Sequence, residues 1–478
     1  MKRESFKSLV LVALVVMSTY FIQQIWLDVP FSLLPLFGTK TDDVKKNNMS
    51  NIIVPEKYLV NFSEKDRTVI YSDKDYKLWS EARDILKKIL QEKELTVDKI
   101  SDEEFIAVNK KWSINFYFSE EVYTYIVGKT LNVDIPNQVY DNMKKFDSIY
   151  FYLGEKPFIT FTDGTYHLKV TFQSTSIDGL RQITQEIDGS NYTKYYSLTE
   201  VLPGVQNNAY IPLTMTYGVP QVSVNNEIDI QDDAEIDSIA KLFFDRNIDY
   251  IRRIEENDGS VIYIDNQKNL KLYTNGTIEY FNALDGTIND RNFYLSLKKA
   301  IDFIDNHMGL PNDTYLSDVR EIEFEDRKGY KFIFRYRING LTVVSGQNKL
   351  SDFIEIEIFN DQVKSYKRRV WVADSIHNTY DTDDAYRNIL SAYNIIEKKF
   401  DFLREKYIED NKMQINETNK GEIDNIVKSS INNVYLAYYD DLDDASDILK
   451  PVWIINMAGY NYAFDAYGGY EENGGSLR

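Results

Sequence analysis

The sequence predicts an α+β protein: an N-terminal transmembrane helix followed by a multi-domain body of helices packed on antiparallel sheets. Three observations carry this reading. From Ser8 to Leu27 no residue is charged, and a helix of about 20 residues spans roughly 30 Å, the thickness of a bilayer's hydrocarbon core. Further on, short segments rich in Tyr and Phe alternate apolar with polar residues, and Asp-Gly or Asn-Gly pairs separate several of them, as in β-hairpins. Between these groups lie stretches whose apolar residues recur at helical spacing.

The anchor comes first. Lys2, Arg3 and Lys7 precede it, and no further Lys or Arg occurs before Lys40. The positive flank stays inside, so residues 1–28 form a cytoplasmic flank and a single-pass anchor in the cytoplasmic membrane, with the bulk of the chain extracellular. Tyr20 to Leu27 is bulky throughout and lacks the small residues of a signal-peptide cleavage site, so the span is read as uncleaved. Thr19 and Gln23 lie one helical turn apart and share a face with Trp26. Either a neighbouring transmembrane helix or interfacial water satisfies such a face, and these three residues are the candidate partner contact within the membrane.

Residues 29–50 read as a juxtamembrane linker, broken by Pro30, Pro35 and Gly38. Residues 51–230 read as an N-terminal α+β domain. Strands are expected at Lys57 to Phe62 and Thr68 to Tyr71. A helix is expected from Asp75 to Glu92, with Leu78, Ala82, Ile85, Leu86 and Ile89 on one face. Ser101 and Glu104 predict a capping box for a second helix. Strands follow at Ser113 to Ser119, Ser148 to Leu153, Phe158 to Thr162 and Tyr166 to Phe172, then a helix at Asp178 to Ile187.

The remainder repeats one order of elements, a helix and then antiparallel strands. A middle domain, 231–290, has its helix at Asp233 to Phe244 and four strands from Ile251 to Phe281. A C-terminal domain, 291–467, holds two such units, with helices at Asn292 to Met308 and Asp383 to Tyr407. Strands run from Val319 to Trp371 in the first and over Asn433 to Tyr439 and Val452 to Phe464 in the second. The Gly-rich stretch 468–478 is expected to be a disordered tail.

Charge and composition bound the function. The formal net charge is −20, which opposes binding to nucleic acid and to anionic lipid. There is no Cys, which removes thiolate metal sites and Cys nucleophiles. The 36 Tyr and 26 Phe supply large apolar area for cores and strands. With 10 Pro and 21 Gly, the chain does not read as an extended stalk.

Catalytic patterns are wanting. His167, His307 and His377 are far apart, outside any metal-binding spacing, and read as solvated or hydrogen-bonded surface histidines. Ser296 and Lys299 match S-x-x-K, but the partner motifs of penicillin-binding enzymes do not follow, so the match is read as chance. Asp440, Asp441, Asp443, Asp444 and Asp447 form an acidic loop. Clustered carboxylates suit a hard cation such as Ca²⁺, which is one reading; the loop lacks the glycine and glutamate of an EF-hand, which favours the other, a solvated connector. No catalytic residue, metal or cofactor is assigned.

Four stretches resemble the YycH family of low-GC Gram-positive bacteria. They are the opening MKRESFKSLVLVALVVMSTYFIQQIW, FFDRNIDYIRRIEENDGSVIYID (Phe243 to Asp265), YKFIFRYRINGLTV (Tyr330 to Val343) and KPVWIINMAGYNYAFDA (Lys450 to Ala466). The resemblance implies YycH/YycI-like later units and a non-enzymatic, membrane-anchored regulator of a sensor histidine kinase (WalK, also called YycG) that controls cell-wall metabolism. It also implies a companion, YycI, with the same anchor plan. The acidic loop and the tail depart from the family. The alternative is an extracytoplasmic protein that binds a ligand or cell-wall glycan, with Tyr and Phe lining a groove. An exposed row of Tyr and Trp on a sheet face would favour it, and burial of those rings would favour the regulator.

Overall fold

The computed structural model describes residues 49–92, 94–133, 138–202, 204–205, 209–286, 291–346, 353–374, 388–412, 420–440 and 447–468. These residues form helices packed on antiparallel sheets, the expected α+β class. The anchor expected over Ser8 to Leu27 lies outside them. No helix among the described residues is long and apolar enough to cross a membrane.

A short helix, α1 (Met49–Ile52), opens the described chain and buries Met49 and Ile52, so the end of the expected linker is already core. The first sheet takes β1 (Lys57–Asn61), β2 (Arg67–Ile70), β3 (Thr96–Ile100), β4 (Ser113–Tyr123), β5 (Lys145–Tyr152), β6 (Phe158–Thr162) and β7 (His167–Thr171). Its order is β2-β1-β4-β5-β6-β7-β3, with every pairing antiparallel. The intervening helices are α2 (Leu78–Leu90), α3 (Asp102–Asn109), α4 (Thr124–Thr130), α5 (Gln138–Asn142) and α6 (Asp178–Asp188).

The apolar face expected of α2 is the one it buries: Leu78, Ala82, Ile85, Leu86 and Ile89 are each at most 2 % exposed. Burying a Leu or Ile side chain stabilises by about 1.5–3 kcal/mol, so this face holds the helix on the sheet. The helix begins later than Asp75 because Asp73 caps it from upstream. Its carboxylate accepts from the Trp79 and Ser80 amides at 2.7 and 3.1 Å. At α3, Ser101 Oγ accepts from the Glu104 amide at 3.2 Å. A two-way capping box forms instead at Ser197 and Glu200, on α7 (Leu198–Val201). That helix lies between β8 (Tyr195–Ser197) and β9 (Tyr210–Pro212), a two-stranded ribbon.

The second sheet has 14 strands. They are β10 (Val222–Asn226), β11 (Arg252–Glu255), β12 (Val261–Asp265), β13 (Lys268–Leu272), β14 (Ile278–Asn282), β15 (Thr314–Phe324), β16 (Arg327–Ile338), β17 (Leu341–Ser345), β18 (Ile354–Phe359), β19 (Gln362–Arg368), β20 (Trp371–Ala373), β21 (Ile431–Asp440), β22 (Ile448–Met457) and β23 (Tyr460–Asp465). Helices α8 (Asp233–Phe243), α9 (Phe293–Asn306), α10 (Ala392–Asn411) and α11 (Lys420–Ser429) precede the strand groups, so the order of a helix and then strands recurs. Ser391 caps α10 through the Asn394 amide, which places its start later than Asp383. One pairing, β17 with β21, is parallel.

Two buried arginines tie these elements together. Arg368 on β19 grips Glu227, just after β10, through Nε at 2.7 Å and Nη2 at 2.5 Å, and Nη1 donates to the Gly309 carbonyl. Arg337 on β16 donates Nη1 to Asp313 at 3.1 Å and Nη2 to the Glu56 carbonyl at 2.9 Å, and it lies over the Tyr315 ring. Arg337 thus joins the second sheet to the chain entering β1. Breaking a buried pair strands a charge. Replacing Glu227 by Ala should therefore lower stability by about 3–5 kcal/mol, whereas Arg368→Met with Glu227→Leu should recover most of it. Equilibrium denaturation of the two variants checks this; an E227A loss below about 1 kcal/mol would mean that the pair is not held as described.

Candidate functional site

The residues singled out in the sequence are placed as follows. Thr19, Gln23 and Trp26 lie outside the described residues, as do His377, Asp441, Asp443 and Asp444. The others are not brought together; Lys299 and Asp447 are exposed, and the rest are used structurally.

His167 is buried, not on the surface, because β7 turns it under α3. Its Nδ1 lies 2.7 Å from Thr162 Oγ1, its Nε2 lies 3.3 Å from Asp102 Oδ1, and Phe105 stacks on the ring at 4.2 Å. Hydroxyl, imidazole and carboxylate stand in the order of a catalytic triad. However, Thr162 is buried, and its hydroxyl also accepts the Gly164 amide that closes the turn to β7. The arrangement pins the Asp163-Gly164 hairpin to α3.

His307 is half-buried and hydrogen-bonded. It ends α9, stacks on Phe303 at 3.8 Å with Phe243 beside it at 4.6 Å, and bonds the Phe303 carbonyl through Nδ1. Burial lowers its pKa by penalising the imidazolium. Ser296 is fully buried and donates to the Asn360 carbonyl at 3.3 Å, while Lys299 is exposed, so the S-x-x-K pair does not converge. Asp440 is buried and holds the Trp371 indole at 2.9 Å and Arg369 at 3.2 Å, so it is not part of a solvated connector. Among the described residues, no group of three or more His, Asp or Glu is arranged to hold a metal ion.

Among the described residues, most aromatic rings are core. Tyr58, Tyr150, Tyr263, Tyr315, Tyr336 and Trp453 are all fully enclosed. The exposed large rings among the described residues, Tyr217, Tyr250, Phe281 and Phe324, come from separate elements and form no row on one sheet face.

One concave feature stands apart from this packing. A groove of about 590 Å³ runs beside β2. It is lined by Thr68 to Ser72, by the segment 190–193 after α6, by 217–220 and by the β16–β17 turn at 339–341. Tyr71, Tyr76, Tyr192, Tyr217 and Tyr438 are its aromatic residues, and Lys74 and Asp75 are its charged groups. Thr68 Oγ1 donates to the Thr193 carbonyl at 2.9 Å, and Tyr438 donates to the Pro220 carbonyl at 3.0 Å, fixing two of the flanks. The side chains of Tyr71 and Tyr195 are hydrogen-bonded to each other, and burial raises the Tyr71 pKa. Sequence reasoning recognises β2 but not the groove, whose walls come from segments remote in the chain. The available signal is an edge-strand sequence, Thr68 to Tyr71, with no charge.

Searches against protein families, curated proteins and solved structures return no match to this chain.

The histidine at the end of α9 gives a pH prediction. With its folded pKa lowered, His307 takes up a proton less readily in the native state than in the unfolded chain, where uptake begins below about pH 6.5. Its contribution is complete above that range and is lost as pH falls through it. The stability gap between wild type and His307→Asn, measured by denaturation, should therefore shrink from pH 7.5 to pH 5. A gap independent of pH would mean that the imidazole is not desolvated.

Proposed function

We propose that the chain is a non-catalytic, membrane-anchored, extracytoplasmic regulator of a WalK/YycG-like sensor histidine kinase, acting beside a YycI-like companion. The uncharged run from Ser8 to Leu27, with a basic flank before it and an acidic body after it, carries the reading. The four stretches that resemble the YycH family support it. The burial of the tyrosines and the structural use of Ser296, His167 and His307 agree with a body built for stability rather than turnover.

The mechanism needs no chemistry. A bound helix that packs better against one arrangement of the kinase's transmembrane segments than against another shifts the population between them. A differential of about 1.4 kcal/mol changes the ratio roughly tenfold. Thr19 and Gln23 are the side chains of the span best suited to such a contact, because a polar group in hydrocarbon gains about 0.6–2 kcal/mol from an interhelical hydrogen bond. Trp26 sets the depth of the helix at the outer interface.

Changing Thr19 and Gln23 together to Leu keeps the span apolar and preserves insertion. It should reduce recovery of the kinase in a pull-down from membranes several-fold, an effect of about 1–3 kcal/mol. Equal recovery by the substituted and native anchors at matched expression would remove the membrane helix from the interaction.

A further inference from the structure

Sheet edges expose unpaired N–H and C=O groups, and proteins blunt them with charge, proline or short length. Two edges here follow that rule. β3 presents Asp98 and Lys99 to solvent, and β11 presents Arg252, Arg253 and Glu255. β2, the other edge of the first sheet, is as short as β11 but presents no charge to solvent. Its one charge, Arg67, is buried and bonded to Glu200 at 3.1 and 3.2 Å, and Thr68 to Tyr71 carries none.

The ladder fixes which groups are free. Phe62 donates to the Asp66 carbonyl at 2.9 Å, so the hydrogen-bonded pairs that follow are Val60–Thr68 and Tyr58–Ile70. The main-chain groups of Val69 and Tyr71 therefore point away from β1, and both residues line the groove.

We propose that this groove receives an extended, uncharged peptide segment of another protein, which adds to β2 as a further strand. Main-chain bonds to Val69 and Tyr71 would supply the register, and the tyrosine rings would receive alternate side chains. The occupant is a single segment and not a second copy. The edge is flanked by 190–193, 217–220 and 339–341, and the same edge of another copy, flanked likewise, cannot reach it. The segment is uncharged because Lys74 and Asp75 leave the lining neutral within a chain of net charge −20. A charged side chain of either sign entering it would meet one like and one opposite charge, so the lining selects neither sign. This site is independent of the membrane helix and stands or falls apart from the kinase reading.

The test uses the full-length chain in detergent against an array of uncharged, acetylated and amidated hexapeptides rich in Val, Ile, Thr and Tyr. The tightest are remade with a fluorophore and measured by anisotropy. Val69→Pro removes the outward N–H but no bond of the β1–β2 ladder, and Val69→Thr keeps both. V69P should weaken binding about tenfold or more, and V69T should leave it within about twofold. The same peptides N-methylated at alternate residues should lose binding to the wild-type chain, which decides the matter even if V69P does not fold. Equal binding by folded V69P, equal binding of the methylated peptides, or no binding by any member of the array would overturn the proposal. So would binding of an N-acetylglucosamine tetramer, sensitive to Tyr217→Ala, where peptides fail; that result would make the groove a glycan site.

Discussion

The placement of the groove, and of much else, depends on one buried guanidinium. Arg337 sits near the end of β16, the strand that pairs with β15 along its length, with β18 in its middle and with β17 at its end. Its side chain is 2 % exposed, so the cation depends on the partners that the fold gives it. Both Nη groups are met, by Asp313 and by the Pro55 and Glu56 carbonyls, main-chain groups that immediately precede the first sheet, while Nε is buried without a partner. Asp313 in turn accepts from Ser72, at the groove. Lys57 adds a second buried tie, donating to Asn433 of β21 at 2.7 Å, and desolvation lowers its pKa. The polar seam therefore sets where β2 lies against the β16–β17 turn, and so the shape of the groove.

A third join is apolar. The ring of Tyr123, at the end of β4, meets Phe293 at the start of α9 at 4.9 Å, and Phe293 meets Phe332 of β16 at 5.7 Å. Lys129 of α4 covers the Tyr294 ring at 4.0 Å. Rings supply contact area with little conformational freedom to lose, which is one use for so aromatic a composition in a chain without disulfides. The same composition reads in sequence as a possible glycan platform, and only the packing separates the two uses.

The sequence resolves what is local. The α2 face, the Asn275-Gly276 and Asn339-Gly340 turns and the long alternating strands are legible because burial on one side imposes a period on the residues. β3 is missed because an exposed edge, Thr-Val-Asp-Lys-Ile, has no apolar alternation to show. β10 is missed because it is short and is held by β20 and β22, both more than a hundred residues away. The parallel pairing of β17 with β21 has no hairpin to announce it. The same limit hides the groove and the buried state of His167: His167 looks polar in sequence, and only the fold of α3 over β7 encloses it. Buried charge is the least legible feature, since nothing local marks Arg337 or Arg368 as different from the surface arginines.

If the Arg337 seam holds the two sheets as one body, they must lose structure together. Amide hydrogen exchange of the full-length chain, followed by mass spectrometry through a denaturant series, reads both at once. Peptides covering β4 and β5 and peptides covering β16 and β18 should lose protection at the same denaturant concentration, and Arg337→Leu should separate the two transitions. Two distinct transitions in the native chain, or coincident ones that persist in the Arg337→Leu variant, would contradict the claim that this buried charge organises the body.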